Sequence, residues 1–159
     1  MTTEELLIST ALNSWRTIIG RLDRIVETTD EEKLQAQVAP GRNRVVYLLG
    51  HLTVAHDRMF PLLGLGKRLY PQLDEAYFDN PDRSRPEPVT GTELMAVWRD
   101  VSQQLTSAIE KLKPVEWLEK HSDVSDEDFA KDPARNRLAI LLSRTNHAAF
   151  HTGQIILTK

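Results

Sequence analysis

The stretch Asn146-His147-Ala148-Ala149-Phe150-His151-Thr152-Gly153-Gln154 decides how this chain is read. On a helix, positions i and i+4 stand one turn apart on one face, with Cβ atoms about 5–6 Å apart. His147 and His151 can therefore turn ring nitrogens toward a single point. The flanks supply the helix: apolar residues recur at three-and-four spacing from Asp132-Pro133 or Asn136 almost to Lys159. At 100° per residue, Ile140, Arg144, His147, His151 and Gln154 fall within roughly 80° of one another. Leu142, Phe150 and Leu157 lie elsewhere on the cylinder. A helix this apolar all round is central or partly covered by another subunit, so a homodimer contact through it is expected.

Working outward, three more segments share that periodicity. From Thr3 to Thr28, the residues Leu7, Ala11, Trp15, Ile18, Leu22 and Ile25 keep to one face, behind a threonine cap and an acidic first turn. Thr29 to Arg42 is polar and broken by Pro40-Gly41, which reads as a loop. A second helix is expected over Asn43 to Phe60, with its stripe on Val45, Leu48, Leu49, Leu52, Ala55 and Met59. Between Pro61 and Gly91 lie five of the eight prolines, which excludes a continuous helix and indicates a long crossover with at most a short helical turn. A third helix opens at Thr90-Gly91-Thr92-Glu93 and stops before Pro114; residues 114–133 read as acidic and irregular. No segment alternates like a strand. The expected fold is all-α: a single domain over residues 1–159, a four-helix bundle whose crossover lets helices two and three run parallel.

The totals narrow the function classes. A net charge of −3 and a pI near 6.0, with no Lys/Arg cluster, argue against nucleic acid as a partner. With no cysteine, disulfides, thiolate metal sites and cysteine nucleophiles are excluded, so any metal takes nitrogen and oxygen ligands. No apolar run approaches the ~18 residues of a membrane span, and the first residues are acidic rather than basic; no membrane partner and a cytoplasmic location are expected.

His51, in Leu48-Leu49-Gly50-His51-Leu52, lies at the edge of the second helix's stripe and is the inward candidate. His56 projects about 140° away and is read as a surface or rim residue. His121, in the polar segment, receives no role. A bare H-x-x-x-H leaves two readings open, a pair of metal ligands or two core-rim histidines bonded to protein partners. Ala148 stands where an H-E-x-x-H peptidase keeps its glutamate, which removes that class. Trp15, Trp98 and Trp117 read as core rather than as a cofactor box.

Taken together, Pro40-Gly41-Arg42-Asn43 leading to Leu49-Gly50-His51-Leu52, the long crossover, and Asn146-His147 through His151-Thr152-Gly153-Gln154-Ile155 resemble the DinB/YfiT-like superfamily over nearly the whole chain. The resemblance implies an up-down-down-up bundle, frequent dimers, and a divalent metal, zinc or nickel, held by His51, His147 and His151. It also implies, for some members, S-transferase or isomerase chemistry with a low-molecular-weight thiol. Three neutral imidazoles leave an ion its full double charge, so bound water titrates near neutrality and a bound thiol is largely thiolate. The expected function is thiol-dependent S-transfer onto a small-molecule electrophile. A metal-dependent hydrolase, or a non-catalytic metal-stabilised dimer that binds a small ligand or partner, is the alternative. Arg44 is placed to meet a substrate carboxylate at the mouth, and Arg144 and Gln154 to support the histidines as donors.

Overall fold

The computed structural model describes residues 1–158. Helix α1 (Thr3–Glu27) opens with a reciprocal cap: Thr2 Oγ1 accepts from the Glu5 amide while Glu5 accepts from the Thr2 amide. Asp30 caps the short α2 (Glu31–Gln35). Next come α3 (Val45–Asp57) and, after a break at Arg58, the single turn α4 (Met59–Leu62). The crossover holds a 3₁₀ turn, Pro71–Leu73, and α5 (Asp74–Tyr77). Thr90 and Glu93 repeat the reciprocal cap at α6 (Gly91–Ile109). Two short helices follow, α7 (Pro114–Trp117) and α8 (Asp126–Lys131), before Asn136 Oδ1 caps α9 (Arg137–Ile156) through the Ala139 amide. Among the described residues there is no strand, only the isolated bridges Gln37–Arg44 and Lys120–Asn136. The all-α fold read from the sequence is the one observed. Short helices α2, α7 and α8 stand where irregular chain was expected. Also among those residues, no helix is long and apolar enough to cross a membrane.

Cross-contacts fix the helix directions. Val26 near the end of α1, Val45 at the start of α3 and Ile155 at the end of α9 line one small void together with Leu34 of α2. Leu34 also packs against Gly91, which brings the start of α6 to the same end. Toward the other end, the Trp15 indole donates to Thr106 Oγ1 at 3.2 Å and Arg16 pairs with Glu110 at 2.7 Å. Hence α1 and α9 run one way, and α3 and α6 the other. The apolar core lies between them, with Trp15, Trp98 and Trp117 fully buried.

The crossover is tied down where it matters for the site. The buried Asp57 carboxylate accepts from the Leu69 amide (2.7 Å), the Tyr70 amide (3.1 Å) and Arg68 Nε (3.0 Å). Tyr47 donates to the Asn80 carbonyl at 2.8 Å, and Arg44 holds Asp82. These bonds replace the water that a buried loop would otherwise lose. They press Tyr77 and Phe78 against the middle of α3.

His56 is not a rim residue: it is 0% exposed, with its ring 4.9 Å from that of Trp15 and 5.1 Å from that of Trp98. The helix is enclosed on nearly all sides, so both edges of its stripe face protein.

Candidate metal centre

Helices α3 and α9 cross with His51, His147 and His151 facing one another. His147 Nε2 lies 3.1 Å from His51 Nε2 and 3.0 Å from His151 Nε2, and the three rings stand nearly perpendicular, at 78–82°. Two of the rings have their tautomer set from outside. His51 Nδ1 donates to the Tyr77 carbonyl at 3.1 Å, and His151 Nδ1 donates to Gln154 Oε1 at 2.7 Å. Each therefore turns a bare Nε2 lone pair toward His147. His51 is also packed against Phe78, ring centroids 5.3 Å apart and 17° from parallel, which holds its plane.

This donor set fits a divalent ion. A proton on His147 Nε2 can serve one of the two facing lone pairs but not both, so a repulsive nitrogen–nitrogen contact stays until a cation sits between them. Ligand nitrogens about 2.0–2.1 Å from an ion, at angles between a right angle and tetrahedral, are about 2.8–3.4 Å apart. The observed 3.0 and 3.1 Å lie within that span. Outer hydrogen bonds such as those donated to Tyr77 and Gln154 are the usual means of aiming a histidine ligand.

Burial keeps the cluster neutral, as ligation requires. It lowers His147 to about 4, with His151 and His51 adding to the effect. Burial likewise lowers His51 against the opposing bond to Tyr77, and His151 against the opposing bond to Gln154. A groove of about 490 Å³ reaches the cluster beside His151 and Gln154, walled by Ala39, Arg42, Asn43 and Leu157.

The remaining expected residues divide. Gln154 Oε1 accepts from His151 Nδ1, where a donor was expected. Arg44 is committed to Asp82 at 2.6 Å, to Glu87 at 2.7 Å and to Gln35, so its charge is not free for a substrate carboxylate. Arg144 lies on the histidine stripe, close enough to disfavour protonation of His51, His56 and His147. His121 lies away from the cluster, beside Leu62 and Phe129. Tyr77 and Phe78 were missed: they approach from the crossover, where no periodicity marks them. The glycine before His51 was the available signal, because a Cβ there would strike the Tyr77 ring.

The helical fold, the paired histidines of α9 and the single histidine of α3 coincide with a family match. The family model of the DinB superfamily matches residues 15–155. The chain belongs to the DinB superfamily. The match begins inside α1 and ends in α9, so it takes in all three histidines of this DinB protein. No curated protein matches the chain significantly.

Proposed function

We propose that His51, His147 and His151 hold one divalent ion, zinc or nickel, and that the protein is a thiol-dependent S-transferase acting on a small electrophile. The observation that carries this reading is the donor set: three mutually facing imidazoles, no carboxylate in the cluster, and no cysteine in the chain. Bound there, a divalent ion would supply a Lewis acid that keeps a small-molecule thiol in its thiolate form at neutral pH. The residues around it suit an anion better than a base-assisted hydrolysis: the charged side chain that acts on His51 and His147 is Arg144, with Arg58 beside it. His51 and His151 are held by Tyr77 and Gln154 and stay fixed during the reaction. The groove beside His151 admits the electrophile, and Phe78 shields the far side of His51. We place this chemistry in the cytoplasm, where small thiols are kept reduced.

The same reading assigns the outward face of α9 to a second copy of the chain. Leu142, Phe150 and Ile156 are exposed there, Phe150 to 63%. Sedimentation velocity of the wild type and of Phe150→Glu should give dimer and monomer respectively.

To test the activity, tag-free protein reloaded with zinc or nickel is incubated with small thiols and an alkylating electrophile, and thioether formation is followed by mass spectrometry. Product formation that needs both the metal and His51 is expected. A rate equal to that of His51→Ala contradicts S-transfer at this site.

A further inference from the structure

Five arginines are half-buried: Arg44, Arg58, Arg68, Arg137 and Arg144. The first four each pair with a carboxylate, Arg44 with Asp82, Arg58 and Arg68 with Asp74, and Arg137 with Glu119. Arg144 has no such partner among the described residues, and its Nε is buried without a hydrogen bond. A half-buried guanidinium without a counter-charge is unfavourable by desolvation and is ordinarily paired. It stands three residues before His147 and seven before His151, on their stripe of α9. It also lies near Arg58, whose guanidinium sits 3.9 Å over the Phe78 ring that packs on His51. Arg58 is already engaged by Asp74 and Asp79, so the free charge at this edge of the cluster belongs to Arg144.

We propose that Arg144 is the anion-binding residue of the three-histidine site, and that the substrate it selects carries a carboxylate close to the group that meets the histidines. The proposal rests on the metal reading above and adds the substrate class to it. A guanidinium presents its N–H groups as a planar fork that matches a carboxylate with two parallel bonds. The histidines contribute no negative charge, so a cation held by them and Arg144 together call for an anionic ligand. The carboxylate compensates a charge that the protein leaves open, and the reacting group of the same molecule lies within reach of His147 and His51.

The probes are 3-mercaptopropionate and its neutral amide, 3-mercaptopropionamide, titrated by calorimetry into tag-free zinc-loaded protein whose metal content has been measured. The acid should bind roughly 10- to 100-fold more tightly than the amide. Arg144→Gln should keep its metal and its affinity for the amide yet lose the preference for the acid; Arg144→Lys should keep only part of it. Equal affinities in the wild type, or a preference that survives in Arg144→Gln, overturn the proposal. A second readout works without metal: propionate, and not propionamide, should shift the Arg144 Nε–H signal in the ¹⁵N spectrum of the metal-free protein. If zinc does not bind but that shift is seen, the metal reading fails and the anion site stands. If zinc binds and no shift or preference is seen, the anion site fails alone. Folding is checked independently, because Gln removes an unpaired charge and should leave the thermal midpoint at or above that of the wild type.

Discussion

Replacing Gly50 by Ala should disturb the histidine cluster through a residue 27 positions away. A Cβ at Gly50 would lie 2.8 Å from Cδ2 of Tyr77 and closer still to its Cγ and Cδ1. Tyr77 is 2% exposed, so its ring has nowhere to retreat without moving α5. Overpacking of this kind costs about 1–3 kcal/mol, against a gain of at most about 1 kcal/mol from alanine's better helix propensity. The net loss of about 1–2 kcal/mol should lower the thermal midpoint by about 2–8 °C in a domain of this size. Gly20 and Gly153 are internal controls, since a Cβ meets nothing within 4 Å at either. Gly20→Ala should therefore be neutral or stabilising. Because the Tyr77 carbonyl accepts from His51 Nδ1, Gly50→Ala should also weaken zinc binding, by about 10- to 100-fold as for other lost supporting bonds. The assays are calorimetry and zinc competition titration, each repeated in a Tyr77→Ala background, where the added methyl should cost much less. A Gly50→Ala protein that behaves like Gly20→Ala, or a cost that is the same with and without the Tyr77 ring, would mean that the Tyr77 ring does not constrain position 50.

Two other outcomes follow from the site. Burial lowers His56 to about 3, below an unfolded value near 6.5, so the native state binds fewer protons and stability falls as pH drops from about 6.5 toward 3. His56→Leu should flatten the metal-free protein's denaturation midpoint against pH in that window by up to about 1.4 kcal/mol per pH unit, and leave metal content unchanged; an unchanged slope contradicts the burial argument. Gln154→Ala removes the acceptor from His151 Nδ1 and should reduce zinc affinity about 10- to 100-fold without changing helical content, as read by competition titration and circular dichroism; wild-type affinity would show that Gln154 does not aim the ring.

Much of the architecture was legible because its signals are local. Thr2, Thr90 and Asn136 announce helix starts, prolines forbid a helix across the crossover, and apolar spacing gives the four long helices. His147 and His151 were legible as a pair for the same reason, since one turn of helix places them together. His56 was not, because a wheel assigns polar residues to water. In α3, Thr53, His56 and Asp57 are polar yet buried, since α1 and α6 close one edge and the crossover closes the other. Short α2 and α8 were hidden by low hydrophobicity, although Asp30 and Ser125 are the capping residues that start them. Tyr77 and Phe78 reach His51 only through tertiary anchoring by Asp57, Tyr47 and Arg44, and Arg44's commitment to Asp82 and Glu87 spans 38 and 43 residues. No periodicity encodes such distances.

Whether three imidazoles from α3 and α9 share one ion is decided by metal analysis of tag-free protein beside His147→Ala. His147 is the variant to use because its Nε2 lies within 3.1 Å of the Nε2 atoms of both His51 and His151. About one equivalent of zinc or nickel is expected in the wild type and its loss in the variant, with helical content kept. Undiminished metal in His147→Ala, or none in the wild type after reloading, would contradict the shared site.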